Sequence, residues 1–250
     1  MRLSVCIPMF FRDVSPADAV GRIAALGFDA AEVWRLRPED IDPLSEALQA
    51  HNVTLTGMCP DSFAMTEPDR RSEYLEKLEA ACETASRLGC RSLITHSGRD
   101  TGASRTAQLE SIRGAMNAAL PLLEKHGMRL LIEPLNTRID HKDTFLDSST
   151  EAFTLIREFS SPHISVLYDI YHARIMGEDC RGVICKNAAH IGHLHAAGTD
   201  GRHEFWECDR DYPSLLRDAE AAGYEGFCGL EYAPLLPREE SLARAKEILL

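Results

Sequence analysis

The chain reads as one (β/α)8 barrel of the α/β class over residues 1–250, and three observations predict it. Its 250 residues match the size one such barrel typically needs. A short β-rich run, a loop and an amphipathic helix recur along it, giving eight strand candidates that alternate with helical patterns. No Gly-, Ser- or Pro-rich linker interrupts that spacing, and no G-x-G-x-x-G or Walker-type loop follows any strand, which disfavours an open nucleotide-binding sheet.

The elements follow in order. Strand one is expected at residues 3–7, inside an apolar stretch that Pro8 interrupts and Arg12-Asp13 closes. That stretch lacks a small-residue cleavage site and is read as a buried strand rather than a signal peptide. Ser15-Pro16-Ala17-Asp18 reads as an N-cap, an N1 proline and a first-turn carboxylate. Val20, Ile23 and Leu26 supply the apolar stripe of that helix and Gly27 its left-handed stop. Strands two and three are expected at 30–34 and 53–58. The next clear stripe is Tyr74, Leu75, Leu78, Cys82, Ala85 and Leu88, ending at Gly89. Strand four (92–95) leads to a helix over about 109–126, in which Pro121 predicts a kink or break. Strands five (129–132) and six (165–168) follow, then a weakly patterned helix near 179–187 and strand seven at 192–194. Tyr212, Leu215, Leu216, Ala219 and Ala222 form the last clear stripe, stopping at Gly223, before strand eight at 228–230.

Composition narrows the function. Acidic residues outnumber basic ones by 39 to 27, a net charge of −12 that opposes binding to nucleic acid or anionic lipid. No apolar run reaches the roughly 20 residues that span a bilayer. The eight cysteines include no C-x-x-C pair and follow no disulfide rhythm, so reduced, mostly buried thiols and a cytoplasmic location are expected.

In barrels of this type chemistry sits at the C-terminal ends of the strands. Glu133 follows Leu130-Leu131-Ile132, Asp169 follows Val166-Leu167-Tyr168, His195 follows Leu194, and Glu231 follows Gly229-Leu230. These positions close strands five to eight, which are neighbours on the wall. Three carboxylates at one mouth repel one another unless a cation sits between them. Three oxygens and one imidazole suit one divalent ion, Mn²⁺ or Mg²⁺ with Co²⁺ admissible. A strand-end carboxylate also serves as an N-cap or an Arg partner, and either role is open for each residue alone.

Other polar residues lie near the same strand ends. His172 and Arg202 could face the same mouth, Arg202 from a mobile loop that also carries His203 and Glu204. For Glu32, Trp34 and His96 a purely structural role is favoured. His193 is expected to point away from His195 into the helix layer, and His51, His126, His141 and His163 are assigned no site.

The segments LLIEPLN (130–136), YDIYHARIMGED (168–179), IGHLHAAGTDGRHE (191–204) and GYEGFCGLEYAP (223–234) resemble the hydroxypyruvate isomerase family. That family is one of the xylose isomerase-like TIM barrels, with ketose 3-epimerases and endonuclease IV as relatives. The resemblance implies a metal set of Glu133, Asp169, His195 and Glu231, acid/base roles for Glu133 and Glu231, and substrate contacts from His172 and Arg202. Two departures stand out: His195 replaces a usual Gln, as in the epimerases, and Phe205-Trp206 replace the Pro-Gly that shapes the family's loop.

These residues suit proton transfer next to a carbonyl, with a metal holding enediolate charge and a carboxylate moving the proton. The expected activity is a hydroxypyruvate isomerase-like interconversion of an α-hydroxy aldehyde and ketone. A ketose 3-epimerase on the same metal site is the alternative, followed by an endonuclease IV-like nuclease and a metal-free binding barrel. The expected partner is a small sugar or hydroxy-carbonyl substrate, with no nucleic acid, no membrane, and room for a homo-oligomer.

Overall fold

The computed structural model describes all 250 residues and contains one sheet of eight parallel strands. The strands are β1 (Arg2–Cys6), β2 (Ala30–Glu32), β3 (Thr54–Gly57), β4 (Ser92–Thr95), β5 (Arg129–Ile132), β6 (Ile164–Asp169), β7 (Ile191–Ala196) and β8 (Phe227–Leu230). Their order is β3-β2-β1-β8-β7-β6-β5-β4, which rolls the sheet almost into a cylinder. Met58 closes the seam between β3 and β4: its N–H donates to Ser92 and its carbonyl accepts from Ile94.

Ten helices accompany the strands: α1 (Ile7–Phe10), α2 (Pro16–Ala25), α3 (Pro38–His51), α4 (Arg71–Arg87), α5 (Arg105–His126), α6 (Ser149–Arg157), α7 (Ile170–Met176), α8 (Cys180–Asn187), α9 (Tyr212–Ala221) and α10 (Arg238–Leu249). The predicted capping of α2 holds, with Ser15 Oγ accepting from the Asp18 N–H at 3.1 Å. The expected break at Pro121 is absent, and α5 is one helix of 22 residues. Pro121 and Asn117 both lie on the exposed face, so water can satisfy the carbonyl that loses its partner. On the opposite face Ile112, Ala115, Met116, Ala119 and Leu123 are buried on both sides of the proline and hold the helix together.

Strand alternation sorts the side chains into two layers. Leu130, Ile132, Val166, Tyr168, Leu194 and Leu230 join the large apolar layer under the helices. Ile94, Leu131 and Leu167 form a separate small cluster inside the barrel. That cluster fills the interior only partway, and polar side chains occupy the rest up to the C-terminal mouth.

Candidate functional site

The residue two positions beyond each inward Leu or Gly also points inward, so Leu131 leads to Glu133, Leu167 to Asp169 and Gly229 to Glu231. Chain register places Asp169 beside His195 and His195 beside Gly229, so Glu231 stands two residues further towards the mouth on the same inward face. One ligand atom from each of Glu133, Asp169, His195 and Glu231 lies within 4.8 Å of the others. From His195 Nδ1 the distances are 3.1 Å to Glu231 Oε2, 3.7 Å to Glu133 Oε1 and 4.0 Å to Asp169 Oδ2.

All four side chains are buried, yet Glu133 Oε1, Asp169 Oδ2 and His195 Nδ1 have no hydrogen-bond partner. Unpaired buried polar atoms are costly, and three aimed at one point fit a shared cation. Oxygen and imidazole donors in this number suit a divalent ion, so these groups could hold a metal. Electrostatics point the same way. Burial pushes Glu133 up to about 7 against the pull of His195, and the charge of Glu231 adds to the rise. Burial acts likewise on Glu231, but His195 and Arg202 outweigh it and hold that carboxyl well below its ordinary range. His195 is raised by Glu32 and Glu231 although burial opposes the charge. The cluster therefore draws positive charge to its centre, as a proton or as a metal ion.

Asp169 serves as an N-cap and still faces the cluster. Its Oδ1 caps α7 by accepting from the N–H groups of Tyr171 at 2.8 Å and His172 at 3.3 Å. Its Oδ2 remains free to face the cluster.

A cavity of about 460 Å³ opens above these groups, and both His172 and Arg202 line it. Asn136 Oδ1 accepts from the N–H groups of Ile139 and Asp140, which turns its amide nitrogen towards His172 Nδ1 at 2.6 Å. Nδ1 is then an acceptor, and the ring presents Nε2–H to the site. Burial lowers His172 to about 4, so it is a neutral donor. Arg202 Nη2 lies 2.6 Å from Glu231 Oε2 and 3.6 Å from Asp169 Oδ2. The loop carrying it is pinned rather than free-standing: Arg202 O accepts from Ala233 N–H, and Glu204 accepts from the N–H groups of Leu235 and Leu236. His203 Nδ1 lies 2.7 Å from Ala233 O, so His203 and Glu204 brace the loop and do not line the cavity.

Several expectations need correction. His193 faces the barrel interior, not the helix layer, because residues two apart on a strand share a face. Its Nε2 lies 3.0 Å from Glu32 Oε2, beneath the four-residue cluster. Trp34 is more than structural, since its Nε1–H donates to Glu231 Oε1 at 3.1 Å. His96 lines the cavity and stacks on Phe63 with ring centroids 4.0 Å apart. His141, assigned no site, also lines it, with its ring 5.2 Å from His172. The hydrogen bond from its N–H to Asn136 O folds the loop after β5 back over the mouth, a turn that no short-range pattern announced.

Gly229 supplies the space for the lower imidazoles. A Cβ there would stand 2.5 Å from Glu32 Oε1, 2.7 Å from His195 Cδ2 and 3.0 Å from His193 Nε2. Gly229→Ala is expected to destabilise the protein by about 1–3 kcal/mol through overpacking. An unchanged urea midpoint for that variant would show that the interior can yield.

The xylose isomerase-like TIM barrel family model matches residues 20–249. A 2-oxo-tetronate isomerase of Cupriavidus necator is 28% identical over 246 residues, covering 93% of each chain. The hydroxypyruvate isomerase of Escherichia coli is 27% identical and covers 97% of each. Among solved structures, a Brucella melitensis protein described as an AP endonuclease, family 2, superposes with a TM-score of 0.91 at 29% identity, covering 98% of both chains.

Proposed function

The chain belongs to the xylose isomerase-like TIM barrel family, and from that premise we propose a divalent-metal-dependent isomerase of the hydroxypyruvate isomerase type. That the chain is an isomerase follows from relatives of that class aligned along nearly its whole length. The finer reading is carried by one observation, the convergence of unpaired Glu133, Asp169 and His195 atoms beside Glu231 at the floor of the cavity. Glu133, Asp169, His195 and Glu231 would hold the ion, Mn²⁺ or Mg²⁺ with Co²⁺ admissible. When bound, it supplies positive charge that eases removal of a proton next to a carbonyl.

The side chains divide the remaining work. Glu133 and Glu231 face each other across the cluster and move the proton between neighbouring carbons, one as acceptor and the other as donor. His172 donates its Nε2–H to a substrate oxygen and stays neutral while doing so. Arg202 orients Glu231 and offers its remaining N–H groups to a hydroxyl or carboxylate. We read residues 1–250 as one barrel domain acting on a small hydroxy-carbonyl compound in the cytoplasm; no helix is long and apolar enough to cross a membrane.

The test is turnover of hydroxypyruvate and of neutral ketoses with Mn²⁺ present, followed by NMR in D₂O. Aldehyde–ketone interconversion is expected, with deuterium appearing on the former carbonyl carbon, which receives the returned proton. His195, in place of the family's usual Gln, favours a 3-epimerase as the second reading. Exchange at C3 with an inverted product and no turnover of hydroxypyruvate would establish that reading instead. The imidazoles of His96, His141 and His172 at the mouth, together with the Brucella neighbour, make a nuclease the third outcome to check. Incision of an abasic-site duplex without any sugar turnover would overturn the isomerase reading.

A further inference from the structure

We infer that Glu32 is a positioning residue: it takes the Nε2–H of His195 and thereby leaves Nδ1 bare towards Glu133, Asp169 and Glu231. The inference rests on the metal reading above and assigns a role to a carboxylate that lies outside the four-residue cluster. Glu32 is only 1% exposed, at the end of β2 across the barrel from β7. His195 Nε2 is 3.3 Å from its Oε2 in hydrogen-bonding geometry and 3.2 Å from its Oε1. In a neutral imidazole the nitrogen that donates fixes the other as the lone-pair bearer. Here the other nitrogen is the orphaned Nδ1, the atom from which the three carboxylates lie 3.1–4.0 Å away. Carboxylates placed behind a metal-binding imidazole in this way orient the ring and raise its basicity.

Three further features support the assignment. His193 Nε2 sits 3.0 Å from Glu32 Oε2, so a second imidazole shares the buried charge. The two imidazoles meet edge to face at 5.1 Å, which restricts rotation of His195. Gly229 leaves open the space that the carboxylate and both rings occupy, and a side chain there would collide with all three. The last residue of β2 and the second residue beyond it thus serve neighbouring groups: Glu32 holds His195 while Trp34 holds Glu231.

The experiment is a Mn²⁺ titration by calorimetry of the full chain, as wild type, Glu32→Gln, His195→Ala and the double variant. Metal-free thermal unfolding is recorded beside each titration. The wild type should take one Mn²⁺ per chain. Glu32→Gln should weaken binding by about 10- to 100-fold, the range typical when such a supporting group is lost. In the His195→Ala background the same change should cost less than about twofold, because a residue that acts through His195 has nothing left to position. Glu32→Asp keeps the charge but withdraws the acceptor, and should give intermediate affinity and a shifted Co²⁺ visible band; it serves if Glu32→Gln fails to fold. Unchanged affinity in Glu32→Gln, or an equal loss with and without His195, would overturn the inference while leaving the metal site standing. Two Mn²⁺ per chain would overturn it by making Glu32 and His193 ligands themselves. A wild type that binds no Mn²⁺ would remove the metal reading and this inference together.

Discussion

Glu133→Gln is expected to lower turnover by about 10²- to 10⁴-fold, the contribution of a positioned acid or base. That loss corresponds to about 3–5 kcal/mol of barrier. The substitution is nearly isosteric, and Glu133 Oε1 has no hydrogen-bond partner to lose, so the fold should survive. Glu231→Gln should cost as much activity but be less clean. Glu231 accepts from Trp34 Nε1–H on one oxygen and from Arg202 Nη2 on the other. A Gln can accept on only one side, which leaves an amide N–H facing a donor; both variants also remove a carboxylate from the proposed metal set and should weaken Mn²⁺ binding. Kinetics with a deuterated substrate separate the two residues. The variant that still exchanges the substrate proton with solvent, yet forms no product, has lost the returning group rather than the abstracting one. If both variants keep turnover within about twofold, neither carboxylate moves the proton.

Saturating Mn²⁺ should raise the thermal midpoint of chelator-treated protein by roughly 8–16 °C. The size follows from mass action: an ion at 1,000 times its dissociation constant stabilises the folded state by about 4 kcal/mol. A chain of this length gains about 2–4 °C per kcal/mol. The effect is expected to be large here because the ion would relieve three unpaired buried atoms at one point. Asp169→Asn should abolish most of the increment. The Asn side-chain oxygen can still cap α7, so the metal-free midpoint should hardly move. A midpoint indifferent to Mn²⁺ and to chelator would show that the cluster binds no ion.

Local patterning along the chain points to the architecture and to the four residues that meet at its mouth. Eight apolar runs spaced by helical stripes require a parallel sheet, because each strand must be covered and each crossover needs a helix, and the count of eight favours its closure into a barrel. Glu133, Asp169, His195 and Glu231 are legible because each is a polar residue directly after an apolar run, and four such positions on consecutive strands point to one mouth. The remaining site residues depend on contacts between segments far apart in the chain. His141 reaches the cavity through a loop folded on Asn136, and Trp34 meets Glu231 across 197 positions. Glu32 and His195 are 163 positions apart, and Gly229 admits them only because β7 and β8 pair in one register. Pro121 shows the same limit from the other side. Its local preference is to break a helix, and burial of the opposite face overrules it. Local patterning fixes which residues face inward at each strand end; only closure of the barrel decides which of them meet.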